Sequence, residues 1–254
     1  MKHLKDIVVE SFFDDELVDD SKHLEKTVKE EIKRFLKENY KGGSRCRISR
    51  KPNEDGKYVV DCKGVLYVSN LSMERLTTDT FIFGEISDSF NISRTRNLTS
   101  LEGAPKKVGG SFYCNDCTSL TSLEGAPEEV EETFSCSWCN SLTNLKGAPK
   151  TCHSFLCYDC ESLTSLEGAP EEVSGDFYCN SCKKLTSFKG APKKIGANFR
   201  ASGCVGIKKS TVGFPKEIGG DVDVSDCGFQ SHMDIWSISK IGGKLKVHWN
   251  GNYL

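Results

Sequence analysis

The chain has 254 residues, a net charge of −2 and 28% charged side chains, so it offers no one-signed field for nucleic acid or an anionic membrane. No stretch reaches the roughly 20 apolar residues needed to cross a bilayer. The start, Met1-Lys-His-Leu-Lys-Asp, has no apolar core of the kind a signal peptide carries. Thirteen cysteines without such a leader point to reduced thiols in a cytoplasmic setting rather than to a disulfide framework.

Residues 1–80 do not repeat. Leu4, Ile7, Val8, Phe12 and Leu17 have the spacing of a short helix. Ser21 to Tyr40 reads as a longer one, with Leu24, Val28, Ile32, Phe35 and Leu36 on one stripe, Glu25/Lys29 and Glu30/Arg34 as pairs four apart, and Gly42-Gly43 as the stop. Cys46-Arg-Ile-Ser and Tyr58-Val-Val-Asp-Cys62 flank Pro52-Asn-Glu-Asp-Gly56 and predict a β-hairpin, and Gly64-Val-Leu-Tyr-Val68 a further strand. A helix with strands ahead of a repeat array is what a cap requires, because the first rung otherwise exposes its apolar end. The organisation expected is therefore a cap over residues 1–80 and a solenoid over 81–254.

The repeat dominates the rest. Leu98-Thr-Ser-Leu-Glu-Gly-Ala-Pro105 returns at Leu120–Pro127, Leu142–Pro149, Leu163–Pro170 and Leu185–Pro192, and prolines 105, 127, 149, 170, 192 and 215 lie 22, 22, 21, 22 and 23 residues apart. A fixed period of this size marks stacked units that bury their apolar faces only on one another. Three residues after each proline stands an apolar residue (Val108, Val130, Cys152, Val173, Ile195, Ile218). Two inward positions follow, such as Phe112/Cys114, Phe134/Cys136 and Phe155/Cys157, and then a column of Cys117, Cys139, Cys160, Cys182, Cys204 and Cys227. Ile86, Phe90, Ile92 and Thr95 extend the array backward, and Ile241, Leu245, Val247 and Asn250 forward, giving eight rungs. Alternation in Ser111-Phe-Tyr-Cys and Lys244-Leu-Lys-Val places a strand there, with paired glycines turning into it and Gly-Ala-Pro turning out of the leucine segment. The fold class expected is a β-rich, parallel solenoid with a small α+β cap.

The unit Phe-x-Cys-x-x-Cys-x-x-Leu-x-x-Leu resembles the leucine-rich repeat. Cys-x-x-Leu-Thr-Ser-Leu with a proline and a valine after it is most similar to bacterial surface-antigen leucine-rich repeats, and to bacteriophage and gut-bacterial repeats built on Leu-Thr-Ser-Leu-Glu-Gly-Ala-Pro. The resemblance covers about two-thirds of the chain, and it implies a stacked parallel sheet in a bacterial or phage-infected cell. The gaps from Cys117 to Leu120 and from Val108 to Phe112 are each one residue longer than in that pattern; only Cys152 to Phe155 keeps the usual length. A curved stack and a flatter, β-helix-like one both remain open.

The CxxC pairs (Cys114/Cys117, Cys136/Cys139, Cys157/Cys160, Cys179/Cys182) have zinc-knuckle spacing, but other rungs fill the same positions with Ile92/Thr95, Val224/Cys227 and Val247/Asn250. Valine cannot replace a metal ligand, whereas it can replace a small core residue, so packing is the reading and no metal or cofactor is expected. The five histidines fall in no ligand spacing, and no P-loop, glycine fingerprint or nucleophile elbow is present, so no enzyme activity is expected. Lys106-Lys107, Glu128-Glu129, Lys150, Glu171-Glu172 and Lys193-Lys194 alternate in sign from rung to rung, as do Glu124, Lys146, Glu167 and Lys189, which specifies register on a solvated face.

Outward positions of the strand diverge instead and gather Tyr113, Trp138, Leu156, Tyr158, Tyr178 and Arg200, residue types concentrated at interfaces. They form the candidate binding face of a non-enzymatic protein-interaction module. A phage-encoded inhibitor of a host factor and a structural protein assembling through its ends are the competing readings. Only Gly251-Asn-Tyr-Leu254 follows the last rung, so self-association through the C-terminal rung, or a partner covering it, is expected.

Overall fold

The computed structural model describes residues 17–42, 45–68, 71–229, 235 and 237–247. The short helix expected around Leu4 to Phe12 lies outside them, as do His248, Trp249 and Asn250. Helix α1 (Leu17–Asn39) is followed by β1 (Tyr40–Lys41), β2 (Arg45–Ile48), β3 (Tyr58–Lys63) and β4 (Leu66–Val68). The array then adds β5 (Phe81–Ile86), β6 (Phe90–Asn91), β7 (Lys107–Val108), β8 (Phe112–Tyr113), β9 (Glu129–Val130), β10 (Thr133–Ser135) and β11 (Ser154–Leu156). It ends with β12 (Glu172–Val173), β13 (Phe177–Tyr178), β14 (Lys194–Ile195), β15 (Phe199–Arg200), β16 (Glu217–Ile218), β17 (Val222–Asp223), β18 (Lys240–Ile241) and β19 (Leu245–Lys246).

These strands build a parallel β-solenoid of about eight turns, with units about 22 residues apart. The predicted strand column forms a ten-stranded sheet in the order β1-β4-β6-β8-β10-β11-β13-β15-β17-β19, parallel throughout except where β1 meets β4. A second set of strands had no expectation behind it. Each post-proline segment (Lys107–Val108, Glu129–Val130 and their equivalents) pairs with the same segment of the next unit. The resulting ladder is split into sheets of five and four strands. The split falls at the one 21-residue unit, where the missing residue shortens the corner to the next strand and leaves a single bridge, Glu129 to Thr151.

Inside, equivalent residues stack on one another. Phe90, Phe112, Phe134, Phe155, Phe177 and Phe199 form a ring column with successive centroids 5.7, 5.4, 5.2, 5.6 and 6.1 Å apart, every ring fully buried. Aromatic pairs at such distances add about 0.5–1.5 kcal/mol each beyond the area they bury. The Leu-Thr-Ser-Leu leucines fill the third side, where Leu123, Leu145 and Leu166 donate to carbonyls of the following unit at 3.0, 2.9 and 3.2 Å. Gly147 shows why the turn out of that side needs glycine. Its φ is +88°, and a Cβ there would fall well inside contact distance of the Leu123 and Glu124 backbone.

At the N-terminal end, Ile32 is buried against the core, Phe35 lies edge-on to Phe81 at 5.6 Å, and the Tyr40 hydroxyl donates to the Leu76 carbonyl. Leu24, placed on the apolar stripe by its spacing, is 43% exposed, so the stripe is buried only from Val28 onward. The helix ends at Asn39, before the glycines, since Tyr40 and Lys41 are drawn into pairing with Val68 and Tyr67. The two predicted helix pairs do not form: Glu30 meets Lys33 at 2.8 Å, and Lys29 donates to the Arg50 carbonyl over the Tyr58 ring. The predicted hairpin is present as β2–β3, with Cys46 directly opposite Cys62. Those two cysteines form a disulfide, an exception to the expected reduced thiols; the other eleven are free and buried. β3 and β4 pair in parallel with β5 and β6 and so start both ladders.

Candidate functional site

The ten-stranded sheet lines up its outward residues as one column: Tyr67, Asn91, Tyr113, Ser135, Leu156, Tyr178, Arg200, Asp223 and Lys246. Neighbours sit about 4.8 Å apart, so wide side chains shade each other. Tyr113, Leu156, Tyr158 and Tyr178, though on the outward side, are consequently half-buried; Trp138, at 44%, and Arg200 are exposed. Between Tyr113 and Leu156 the column dips at Ser135, which is 1% exposed, and Ser137 beside it is fully covered.

The structure brings the predicted residues together as two contacts. Trp138 packs edge-on to Tyr158 with centroids 4.7 Å apart, and the Arg200 guanidinium lies 4.8 Å over the Tyr178 ring. Burial, followed by the neighbouring Asp176 carboxylate, pushes the Tyr178 phenol above its usual pKa. A ring braced this way is pre-ordered, and ordering is a large part of what recognition costs.

Trp138 carries a feature its sequence position conceals. Its column, part of the divergent outward set, has left-handed backbone at the described rungs: Arg94, Asp116, Trp138, Asp159, Ser181 and Asp226 have φ of 67, 57, 60, 56, 58 and 61°. Asp, Ser and Gly suit this conformation, and a bulky aromatic is out of place in it. The prevalence of Asp, Ser and Gly203 in the column was the available signal.

Four rungs beside Trp138 enclose an open depression of about 660 Å3 whose lining includes Tyr67, Arg94, Asn115, Asp116 and Asn140. None of these except Trp138 was singled out by sequence. Asn115 accepts from the Ser135 hydroxyl at 2.6 Å and from the Ser137 N–H at 2.9 Å, which fixes its orientation. Asp116 is held by Arg96 at 2.7 Å.

The cysteine columns divide by role. Cys139, Cys160, Cys182, Cys204 and Cys227 each donate their thiol to a carbonyl of the preceding unit at 3.0–3.2 Å. Thr95 takes the same place on another rung and also donates to a carbonyl, that of Ile92 in its own unit. Burial pushes the Cys136, Cys157 and Cys160 thiols well up and Cys152 up to about 12, so they are poor nucleophiles. On the charged side, Lys107–Glu129 (3.7 Å), Lys150–Glu128, Lys193–Glu171 (3.1 Å) and Lys240–Glu217 (3.7 Å) pair across rungs as the alternation requires.

A further ladder was not foreseen. Side-chain oxygens of Ser111, Ser154, Asp176, Asn198 and Asp221 accept the N–H of the equivalent residue one rung on, at 2.7–3.2 Å. The signal was a short polar residue directly before the inward Phe or Val. Compared with known proteins, the chain matches no family model, no curated protein and no solved structure.

Proposed function

We propose that the chain is a non-enzymatic protein-interaction module of the leucine-rich-repeat kind, which binds a partner protein on the outward face of its ten-stranded sheet. One contrast carries this reading. The inward columns repeat almost without change, while the outward column and the two positions after the strand vary from rung to rung and together hold Tyr113, Trp138, Leu156, Tyr158, Tyr178 and Arg200 within consecutive units. Aromatic and arginine anchors of this type cost about 2 kcal/mol or more when truncated at the centre of an interface. Trp138→Ala and Tyr178→Ala therefore weaken capture of the partner from the native cell by about tenfold or more, whereas Lys106→Ala and Glu128→Ala do not. The reverse pattern assigns recognition to the charged side.

A second reading, assembly through the C-terminal rung, draws on one observation. Val222 and Val224 donate to the Lys244 and Lys246 carbonyls, but among the described residues nothing accepts from Leu245 and Val247, their equivalents on the last rung. An edge of this type invites pairing with another chain. Light scattering over a concentration series tests it: a concentration-dependent dimer supports the reading, and a monomer throughout removes it.

A further inference from the structure

We propose that the depression between Tyr67 and Trp138 is a binding site for a neutral oligosaccharide laid along the solenoid axis. It lies on the same sheet face but does not depend on there being a protein partner.

The polar groups in the depression are oriented and underused. Asn91 engages its Oδ1 with the Ser93 N–H at 2.9 Å, and Asn115 engages its Oδ1 with Ser135 and Ser137, so both amides are fixed with their NH2 groups unpaired among the described residues. One oxygen of Asp116 takes Arg96, and the other takes no described partner. The Oδ1 of Asn140, behind the lining, is closed to solvent and has no hydrogen-bond partner among the described residues. Amide donors beside open acceptors suit a group that donates and accepts at once, which is a hydroxyl.

Charge and shape narrow the class. Asp116 is already offset by Arg96, which leaves Arg94 as the single exposed cation of the lining among the described residues, and one solvated charge does not build a site for a strongly ionic ligand. Tyr67, 47% exposed, and Trp138, 44% exposed, stand at opposite ends of the depression, three rungs apart. The left-handed conformation at Trp138 recurs in the same column on other rungs, where Arg, Asp or Ser stands, so the exposed indole is the unusual element at this position. The C–H face of a pyranose ring stacks on such an aromatic while its hydroxyls reach the amides.

An extended peptide fits less well. It advances about 3.3 Å per residue, against about 4.8 Å per rung, so its backbone groups fall out of step with the side chains below. Strand addition is closed off as well, because β6 and β8 are already paired on both sides.

The test uses the full chain and four probes: cellotetraose, chitotetraose, maltotetraose and mannotetraose. The readout is the Trp138 indole N–H resonance, assigned by its loss in Trp138→Phe. At least one probe shifts it saturably. Trp138→Ala, Asn115→Asp and Arg94→Gly then raise the Kd by about tenfold or more. Asn115→Asp keeps the oxygen that accepts from Ser135 and Ser137, and Arg94→Gly suits the left-handed backbone, so neither variant disturbs the fold. Tyr178→Ala leaves sugar binding unchanged while it lowers protein capture, so the two readings fail separately. The proposal is overturned if no probe shifts the resonance at millimolar concentration, if the three variants bind as tightly as the parent, or if a library of extended octapeptides shifts it and the sugars do not.

Discussion

Two faces of the same strands obey opposite rules. Inward from the ten-stranded sheet, the place of Phe112 is held by phenylalanine in six successive units, and the place of Cys114 by isoleucine, cysteine, alanine or valine. Outward, the neighbouring position runs Asn91, Tyr113, Ser135, Leu156, Tyr178 and Arg200 over the same rungs. Every inward side chain rests on its own equivalent above and below, so a change in one unit must be accommodated by two others. An outward side chain meets solvent on one side and answers only for its own contacts. The fold is therefore specified by what repeats, and recognition is left to what does not.

Substitutions sharpen this contrast. The largest expected effect is inward: Phe134→Ala opens a cavity in the middle of the ring column and costs about 3–5 kcal/mol in denaturant unfolding. Gly147→Ala follows, at about 1–3 kcal/mol from the left-handed backbone alone, with the clash against Leu123 and Glu124 in addition. Cys136→Ser should cost about 1–3 kcal/mol, because it buries a hydroxyl where the column otherwise takes valine. Cys139→Ser is milder, since its hydroxyl inherits the Cys114 carbonyl. If the two serines prove equally costly, the division between the two thiol columns is wrong.

Smaller effects belong to the charged side. Exposed pairs contribute about 0–1 kcal/mol, so Lys193→Ala moves the unfolding midpoint only slightly, and less in high salt. The bond from Lys150 holds the Glu128 carboxyl below its usual pKa, and the Lys33 bond does the same for Glu30. Folded values below unfolded ones mean that this stabilisation is present above the unfolded carboxylate pKa and is lost as pH falls through the folded one. A pH series below about 4.5 should show a shallow loss that Glu128→Gln makes shallower still. An unchanged acid limb would detach these pairs from stability.

How much of this was legible in the sequence follows from the same division. The Phe and Cys columns, the rung count and the sign alternation could be read because each recurs at one period. The second ladder escaped because its strands are two residues long, too short for alternation to register. The side-chain ladder at Ser111, Asp176 and Asn198 escaped because its members share hydrogen-bonding capacity rather than identity. Trp138 was singled out for being aromatic, whereas its left-handed backbone, hidden in a column of Asp and Ser, is the more specific sign. The depression beside it is assembled from four different rungs, and no linear reading gathers Tyr67, Asn115 and Asn140. The Cys46–Cys62 pairing needed only the register of the hairpin, which the turn length left open.

Trp138→Gly tests the division most directly, with melting temperature and partner capture measured on the same preparation. Glycine removes a left-handed aromatic that costs the backbone about 1–2 kcal/mol, and it forfeits about 0.5–1.5 kcal/mol of contact with Tyr158. The two nearly cancel, so the melting temperature stays level or rises while capture is lost. A clear fall in melting temperature with capture intact would place Trp138 in the scaffold and contradict the assignment of recognition to this face.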